Sequence, residues 1–317
     1  MARSLLVLCL AVLCLALPGL ARAGACCVGS TSGFGGRLGP CEYAGVATAV
    51  VGRIGFGTWT STGRFAPIGD DRDVDVGAVL SGMLRFDRTA QLSVSLPARL
   101  QVRRIAGTSY VGGGQGDLTV TARFTPFEDL YGAEKPPVPT FQLGLSVPTG
   151  FPVEASSNPA QATGTGHLVV QPRIGIQRWF LGGSVALEVD AGVPVPRPWD
   201  PVGKAPGITW GVSNFGSVFL NRRLTLNGSF GVRGLSPAMV AGTLVGTPSL
   251  EPWLGAGAAV KLGKGRLTFG VSSSVPVPQL GRSDQAEVTL SVGYTLIRRT
   301  PLPTPARPGA PEARPDA

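Results

Sequence analysis

Apolar and polar residues alternate along most of the chain with a period of two, and the segment 91–103 shows this best. One face of this segment carries Leu92, Val94, Leu96, Ala98, Leu100 and Val102, whereas the other carries Gln91, Ser93, Ser95, Pro97, Arg99, Gln101 and Arg103. Successive side chains of a β-strand point to opposite faces of the sheet. The pattern therefore predicts a strand with one apolar face and one hydrated face.

The same alternation recurs and predicts about twelve strands in all. It is weakest in the first, eighth and tenth of them. The predicted strands span residues 43–58, 74–87, 90–103, 117–126, 139–148, 167–178, 180–193, 208–220, 224–234, 249–262, 267–277 and 286–298.

The predicted connections fall into two classes. Every odd-numbered connection is long, as at 59–73, 104–116 and 149–166, whereas the even-numbered ones are tight turns, apart from 127–138. Long loops at one end and short turns at the other are typical of outer-membrane barrels, with the turns in the periplasm. A soluble Greek-key sandwich gives no reason for such segregation. We therefore predict an all-β fold, a transmembrane antiparallel up-and-down β-barrel at 43–299.

The N-terminus has the features of a cleaved export signal. Arg3 precedes an apolar run from Leu5 to Leu17, which ends at Pro18, and Ala21-Arg22-Ala23 offers small residues for a peptidase. We predict a signal peptide at 1–23 and, with the barrel, a location in the outer membrane of a Gram-negative cell.

Composition agrees with a chain that crosses a membrane as strands. Charged residues make up 15% of the sequence, against about 25% in soluble domains, and no later segment reaches the roughly 18 apolar residues of a membrane helix. The net charge is +9, but the arginines are spread along the strands and are not clustered as for nucleic acid. The expected partners are outer-membrane lipid, the barrel-insertion machinery and small molecules, and no nucleic acid.

Two segments flank the predicted barrel. Residues 24–42 form an N-terminal periplasmic segment whose cysteines, Cys26, Cys27 and Cys41, are candidates for one disulfide in an oxidising compartment. Either Cys26 or Cys27 would pair with Cys41, and the remaining thiol is free, or else Cys26 carries a lipid. Residues 300–317 are rich in proline and polar, which predicts a disordered tail.

Charged residues on the hydrated faces must point into the lumen, because an arginine on the lipid side costs about 2–4 kcal/mol at the midplane. By this rule seven cations and five anions point into the lumen. Five ion pairs can form and two cations remain, so a pore through this lumen would weakly prefer anions. The network either closes the lumen or lines a water-filled pore. The predicted lumen-lining residues are Arg85, Arg99, Arg103, Asp117, Arg123, Arg173, Glu188, Asp190, Arg233, Glu251, Lys261 and Glu287.

Catalytic and metal chemistry find little support, and no catalytic residue, metal site or cofactor is predicted. His167 is the one conventional general base, and by alternation both it and Ser146 face inward, away from membrane lipid. Asp70, Asp71 and Asp73 lie in a predicted loop, but Arg72 interrupts them and a solvated acidic loop is the default.

Two short motifs resemble those of a known family. Gly114-Gln115-Gly116-Asp117-Leu118 enters the fourth strand after Gly112 and Gly113, which let the loop bend sharply, and Pro148-Thr149-Gly150 follows the fifth strand. In order and spacing these motifs resemble the corresponding motifs of the phenol-degradation meta-pathway family of outer-membrane barrels. The resemblance implies a twelve-stranded, porin-like transporter barrel that admits small hydrophobic compounds. By its own position, Asp117 would point into the lumen near Arg99, Arg103 or Arg123.

The sequence thus favours an integral barrel that acts as a passive channel or transporter for small molecules, or as a structural envelope protein. A secreted or periplasmic all-β protein that binds lipid or small molecules is one alternative. A barrel hydrolase that depends on His167 is another.

Overall fold

The computed structural model describes residues 38, 42–59, 64–67, 69, 72–87, 89–105, 107–126, 136–152, 157–158, 160–180, 182–195, 207–240, 243–245, 248–275 and 284–299. The described residues form the strands β1 (Glu42–Trp59), β2 (Phe65–Pro67), β3 (Arg72–Arg85), β4 (Ala90–Ile105), β5 (Thr108–Gln115), β6 (Leu118–Phe124), β7 (Val138–Val147), β8 (Val169–Phe180), β9 (Gly183–Pro194), β10 (Thr209–Phe219), β11 (Leu224–Leu235), β12 (Ala238–Val240), β13 (Thr243–Val245), β14 (Ser249–Leu262), β15 (Gly265–Ser274) and β16 (Asp284–Arg299).

Twelve of these strands form a closed antiparallel barrel. Each barrel strand pairs with its neighbours in chain order, through β1, β3, β4, β6 to β11 and β14 to β16. The ladder between β16 and β1, with Val50 opposite Val292, closes the cylinder. Closure of this kind pairs each barrel strand with two neighbours, which is the condition for strands to cross a bilayer.

The predicted fold class is confirmed, and each of the twelve predicted strands coincides with one barrel strand. The tight turns are also present at one end: β14 and β15 are joined by Gly263 and Lys264, and Gly263 adopts a left-handed φ of 57° that suits glycine. The connection between β6 and β7 is the longer exception at that end.

The prediction that 104–116 is a loop was wrong. Residues 108–115 form β5, which folds back on the outer half of β4 and pairs Val111 with Val102. Because β6 pairs only with Ala90–Ser95 of β4, the rest of β4 needs another partner for its backbone groups. The glycines at 112–114 lie within this strand.

Side chains alternate between an apolar outer surface and a polar interior. On β1, Val46, Val50 and Ile54 are about half exposed on the outside, whereas the arginine at 53 points inward among small residues. Buried positions are mostly polar, with Gln101 and Gln177 among the most enclosed side chains. This distribution is the reverse of that in a soluble protein and suits a lipid-facing belt around a hydrated lumen.

Several predictions fall on residues outside the described ranges: the signal peptide, Cys26, Cys27 and Cys41, the tail 300–317, and Asp70 and Asp71. Within the described ranges, the structure has no helix of the length and apolarity that a membrane span requires.

Candidate functional site

The lumen holds a cavity of about 1060 Å³, which is the candidate site. Its wall on β14, β15, β16, β1 and β3 carries small inward side chains, because the alternating positions there are mostly Gly, Ala, Ser and Thr. Longer inward side chains on the strands from β4 to β8, such as Gln101, Arg123 and Gln177, are buried among their neighbours. The open space therefore lies against the small-residue wall.

An ion-pair cluster occupies the half of the lumen nearer the long loops. Arg53 lies at its centre, with its guanidinium 3.2 Å from Glu287, 3.6 Å from Asp75 and 4.0 Å from Asp73. Arg103 contacts Asp73 at 3.3 Å, and Arg99 contacts Asp75 at 3.9 Å. We call this set the outer ion cluster; its members are Arg53, Asp73, Asp75, Arg99, Arg103 and Glu287.

A second pair lies across the barrel from this cluster, on β8 and β9, where Arg173 contacts Glu188 at 3.3 Å. Asp190 lies one alternating position nearer the loops, opposite Gly211, which is in turn opposite Arg233. Arg233 stacks on the Trp253 ring with its guanidinium carbon 5.5 Å from the ring centroid, and Glu251 is its register partner on β14. These side chains line the same cavity.

The lumen is filled at the short-turn end. Arg266 donates to the Glu42 carboxylate at 3.0 Å, and both side chains are almost fully enclosed. Leu38, which precedes β1, is 1% exposed. Its backbone N–H donates to Gln91 Oε1, and its carbonyl accepts a hydrogen bond from Arg85. The backbone of Leu38 is thereby held inside the barrel at this end.

Sequence reasoning missed five charged lumen residues. Arg53 lies in a strand of small residues whose two faces differ little, Asp73 lies one residue before a predicted strand, and Glu42 and Arg266 lie just outside two others. Asp75 lies inside a predicted strand but was not included among the lumen residues. Extending the alternation by one position would have added Asp73 and Arg266, whereas Glu42 lies beyond a register shift at the start of β1.

These additions reduce the charge excess on which the expected anion preference was based. Among the described residues, Arg53 and Arg266 add two cations to the seven predicted, and Glu42, Asp73 and Asp75 add three anions to the five predicted. Lys261, which is exposed at the short-turn end, and Asp117 do not line the cavity. Without these two residues eight inward cations face seven inward anions, so the excess falls from two cations to one.

The predicted lumen residues occupy three kinds of place. Arg99, Arg173, Glu188, Asp190, Arg233, Glu251 and Glu287 line the cavity. Arg85, Arg103 and Arg123 face inward but are held against other groups, and Arg123 is 8% exposed. Asp117 and Lys261 lie outside the cavity lining.

Asp117 lies at the junction of the two motifs 114–118 and 148–150. The sequence predicted that it would lie beside a lumen arginine, but its partners are Gly150 and Thr165. Its carboxylate accepts hydrogen bonds from the Gly150 backbone N–H at 3.0 Å, the Thr165 backbone N–H at 2.7 Å and the Thr165 hydroxyl at 2.8 Å. Thr149 links the same motifs, since its hydroxyl donates to the Gly116 carbonyl and accepts from the Leu118 N–H. Asp117 therefore fastens the connection between β7 and β8 to the start of β6.

This fastening closes the barrel wall beside β5. The edge of β5 away from β4 faces residues 158–163 of the β7–β8 connection, because Asn158 donates to the Val111 carbonyl and Thr163 donates to the Gln115 carbonyl. Close packing needs small residues here: a Cβ on Gly112 would lie 2.7 Å from the Ala160 backbone.

The residues considered for catalysis and metal binding, His167 and Asp73, are engaged by neighbouring protein groups. His167 is 3% exposed, and its backbone N–H donates a hydrogen bond to the Thr165 hydroxyl. Asp73 is engaged by Arg53 and Arg103, and no group of three potential metal ligands occurs in the described part of the chain.

Comparison by sequence finds no matching family model and no matching curated protein. Comparison of structures finds an outer-membrane channel from Pseudomonas putida F1, with a TM-score of 0.68 and 14% identity over 85% of this chain and 100% of that one. The porin NanC aligns with a TM-score of 0.48 at 8% identity, covering 79% and 98% of the two chains. The toluene transporter TodX from Pseudomonas putida aligns with a TM-score of 0.40 at 8% identity, covering 81% and 90%. The first of these shows that the two chains share a barrel fold.

Proposed function

We propose that this protein is an integral outer-membrane barrel that acts as a narrow passive channel for small molecules. The observation that carries the proposal is the cavity of about 1060 Å³ enclosed by a closed barrel with an apolar outer surface. A soluble barrel would expose these apolar side chains to water over its whole girth, which soluble proteins avoid. The fold shared with a protein described as an outer-membrane channel agrees with this proposal.

Charge balance in the lumen sets the expected selectivity. The described inward cations exceed the inward anions by only one once the outer ion cluster and the Glu42–Arg266 pair are included. Ion pairs that hold each other leave little net field for a passing ion. We therefore expect small conductance steps with a reversal potential close to zero across a salt gradient, in place of the anion preference that sequence alone suggested.

Planar-bilayer conductance of purified protein tests the proposal. Ser291 lines the cavity, and Leu290 before it is 53% exposed on the outside. Ser291→Trp should lower the conductance step, because the indole occupies the lumen, whereas Leu290→Trp should leave it unchanged. Equal effects of the two substitutions would contradict a lumenal route.

A structural envelope barrel is the second candidate, and the filled short-turn end favours it. Leu38 and the Glu42–Arg266 pair occupy the lumen there. A barrel that stays in carbonate-washed membranes but never conducts in bilayers would support this candidate. Recovery in the soluble periplasmic fraction would contradict both candidates.

A further inference from the structure

Arg233 differs from the arginines that surround it in the lumen. Arg53, Arg99, Arg103, Arg173 and Arg266 each have a carboxylate within 4.0 Å. Among the described residues, no carboxylate lies within that distance of Arg233. Its guanidinium instead lies over the face of the Trp253 ring. A stacked guanidinium keeps its in-plane N–H donors available, and their fork matches a carboxylate.

The aromatic residues beside Arg233 are held in place by the wall. The Trp253 indole lies over Gly231, where a Cβ would come within 2.9 Å of the ring. Phe215 lies next to it, with ring centroids 6.3 Å apart and an angle of 48° between the planes. Both side chains line the cavity. Tilted rings at this separation offer faces and edges to a third ring.

Small polar residues surround this patch. Ser213, Ser229, Gly255 and Ser272 line the cavity around the two rings. They leave space for a planar molecule and supply hydroxyl groups at its margin. The wall thus combines a cation without a carboxylate partner, an aromatic surface and open volume.

Two carboxylates border the patch and limit its affinity. Glu251 is the register partner of Arg233, and Asp190 is two strands away across Gly211. Each repels an anion that approaches Arg233. Weak binding suits a channel, because a solute that binds too tightly cannot leave.

We propose that Arg233, Trp253 and Phe215 form a lumenal binding site for small aromatic carboxylates. The carboxylate contacts the Arg233 guanidinium, and the ring packs against Phe215 and Trp253. A simple anion would gain nothing from the rings, and a neutral aromatic would gain nothing from Arg233. The inference rests on the proposed channel function, which gives solutes access to the lumen.

Calorimetric titration of the detergent-purified protein with sodium benzoate tests this site without requiring conduction. We expect saturable binding with a dissociation constant of about 1 mM, and weaker binding of acetate and of benzyl alcohol. Arg233→Gln should weaken benzoate binding at least about tenfold, since a charge-assisted contact is lost. Glu251→Gln should strengthen it, because a repelling charge is removed.

Lys261→Gln is the matched control, because it removes one positive charge outside the cavity lining and should leave benzoate binding unchanged. Heat-modifiable migration in mild SDS verifies that each variant has folded. The proposal is overturned if wild-type protein shows no saturable benzoate binding, if acetate or benzyl alcohol binds as tightly as benzoate, or if Lys261→Gln weakens binding as much as Arg233→Gln. Benzoate binding without conductance would sustain this site and overturn the channel, whereas conductance without benzoate binding would do the reverse.

Discussion

Replacing Asp117 by asparagine tests whether the junction between the two motifs stabilises the barrel. The Asp117 side chain is 9% exposed, and its two oxygens receive three hydrogen bonds from Gly150 and Thr165. Asparagine has nearly the same shape but offers one accepting oxygen in place of two. The substitution therefore isolates hydrogen bonding and charge from packing.

The cost follows from the donors that lose their acceptor. If the asparagine oxygen faces Gly150, the Thr165 backbone N–H meets an amide group that also donates; if it faces Thr165, the Gly150 N–H is left without an acceptor. A buried donor without a partner costs about 1–3 kcal/mol, and the remaining hydrogen bonds lose their charged acceptor. We expect Asp117→Asn to lower the free energy of unfolding by about 2–4 kcal/mol.

Urea unfolding in lipid vesicles, followed by tryptophan fluorescence, measures this loss. Asp87 gives a control at an exposed site, because a single oxygen, Oδ1, accepts all three of its hydrogen bonds, from the Thr89 N–H, the Thr89 hydroxyl and the Ala90 N–H. Asparagine keeps this acceptor, and Asp87 is fully exposed, so Asp87→Asn removes only a solvated charge and the effect should be much smaller. Equal losses in the two variants would refute the argument that a buried donor without an acceptor makes Asp117→Asn costly.

Three further predictions concern the outer surface, the short-turn end and pH. Leu80→Arg, on the apolar outer surface, should destabilise the barrel in vesicles by about 2–4 kcal/mol, whereas Val79→Arg, which enters the cavity, should cost less; equal losses would reverse the assigned faces. Glu42→Gln should lower the free energy of unfolding by about 3–5 kcal/mol, because the buried Arg266 loses its ion-pair contact with the Glu42 carboxylate. Glu42→Gln combined with Arg266→Gln should recover much of that loss in the same urea assay. The N–H groups of Ala90 and Thr89, and then the Thr89 hydroxyl, lower the pKa of Asp87 below 3.8 in the folded protein. The ionised Asp87 therefore contributes to the stability of the fold above pH 3.8, and this contribution is lost as the pH falls through the lower pKa of the folded state. Wild type and Asp87→Asn should therefore have the same free energy of unfolding in acid but not at about pH 7.

The strand pattern was predictable because lipid and lumen impose opposite chemistry on alternate residues. In 91–103 every second residue is apolar, so both the strand and its orientation follow from the sequence. Strand β5 escaped prediction because Thr108–Gln115 contains three consecutive glycines, which in sequence indicate a bend. Its pairing depends on the length of β4, and that is set by the whole barrel.

The charged groups were harder to place than the strands. Arg53 and Glu287 are 234 residues apart and meet because β16 closes on β1. Glu42 and Arg266 meet for the same reason, at strand ends that alternation cannot fix. Asp117 was assigned to the lumen by alternation, but Gly116 and Asp117 interrupt the strand between β5 and β6, so the alternation rule does not extend to it.

The distribution of side-chain size explains where the lumen is open. The cavity lies against β14 to β16 and β1 because the inward side chains of these strands are small. Ion pairs lie at its two ends, the outer ion cluster toward the loops and the Glu42–Arg266 pair toward the short turns. If the barrel conducts as we propose, a solute meets little net potential, because the charges at both ends are paired, and its size and surface chemistry decide whether it passes. Arg233, on the adjoining strand β11, is the exception, since its guanidinium lies on an aromatic ring and not on a carboxylate. Under that proposal, we expect the lumen to discriminate between solutes at the patch of Arg233, Trp253 and Phe215, and not at the ion pairs that dominate its charge.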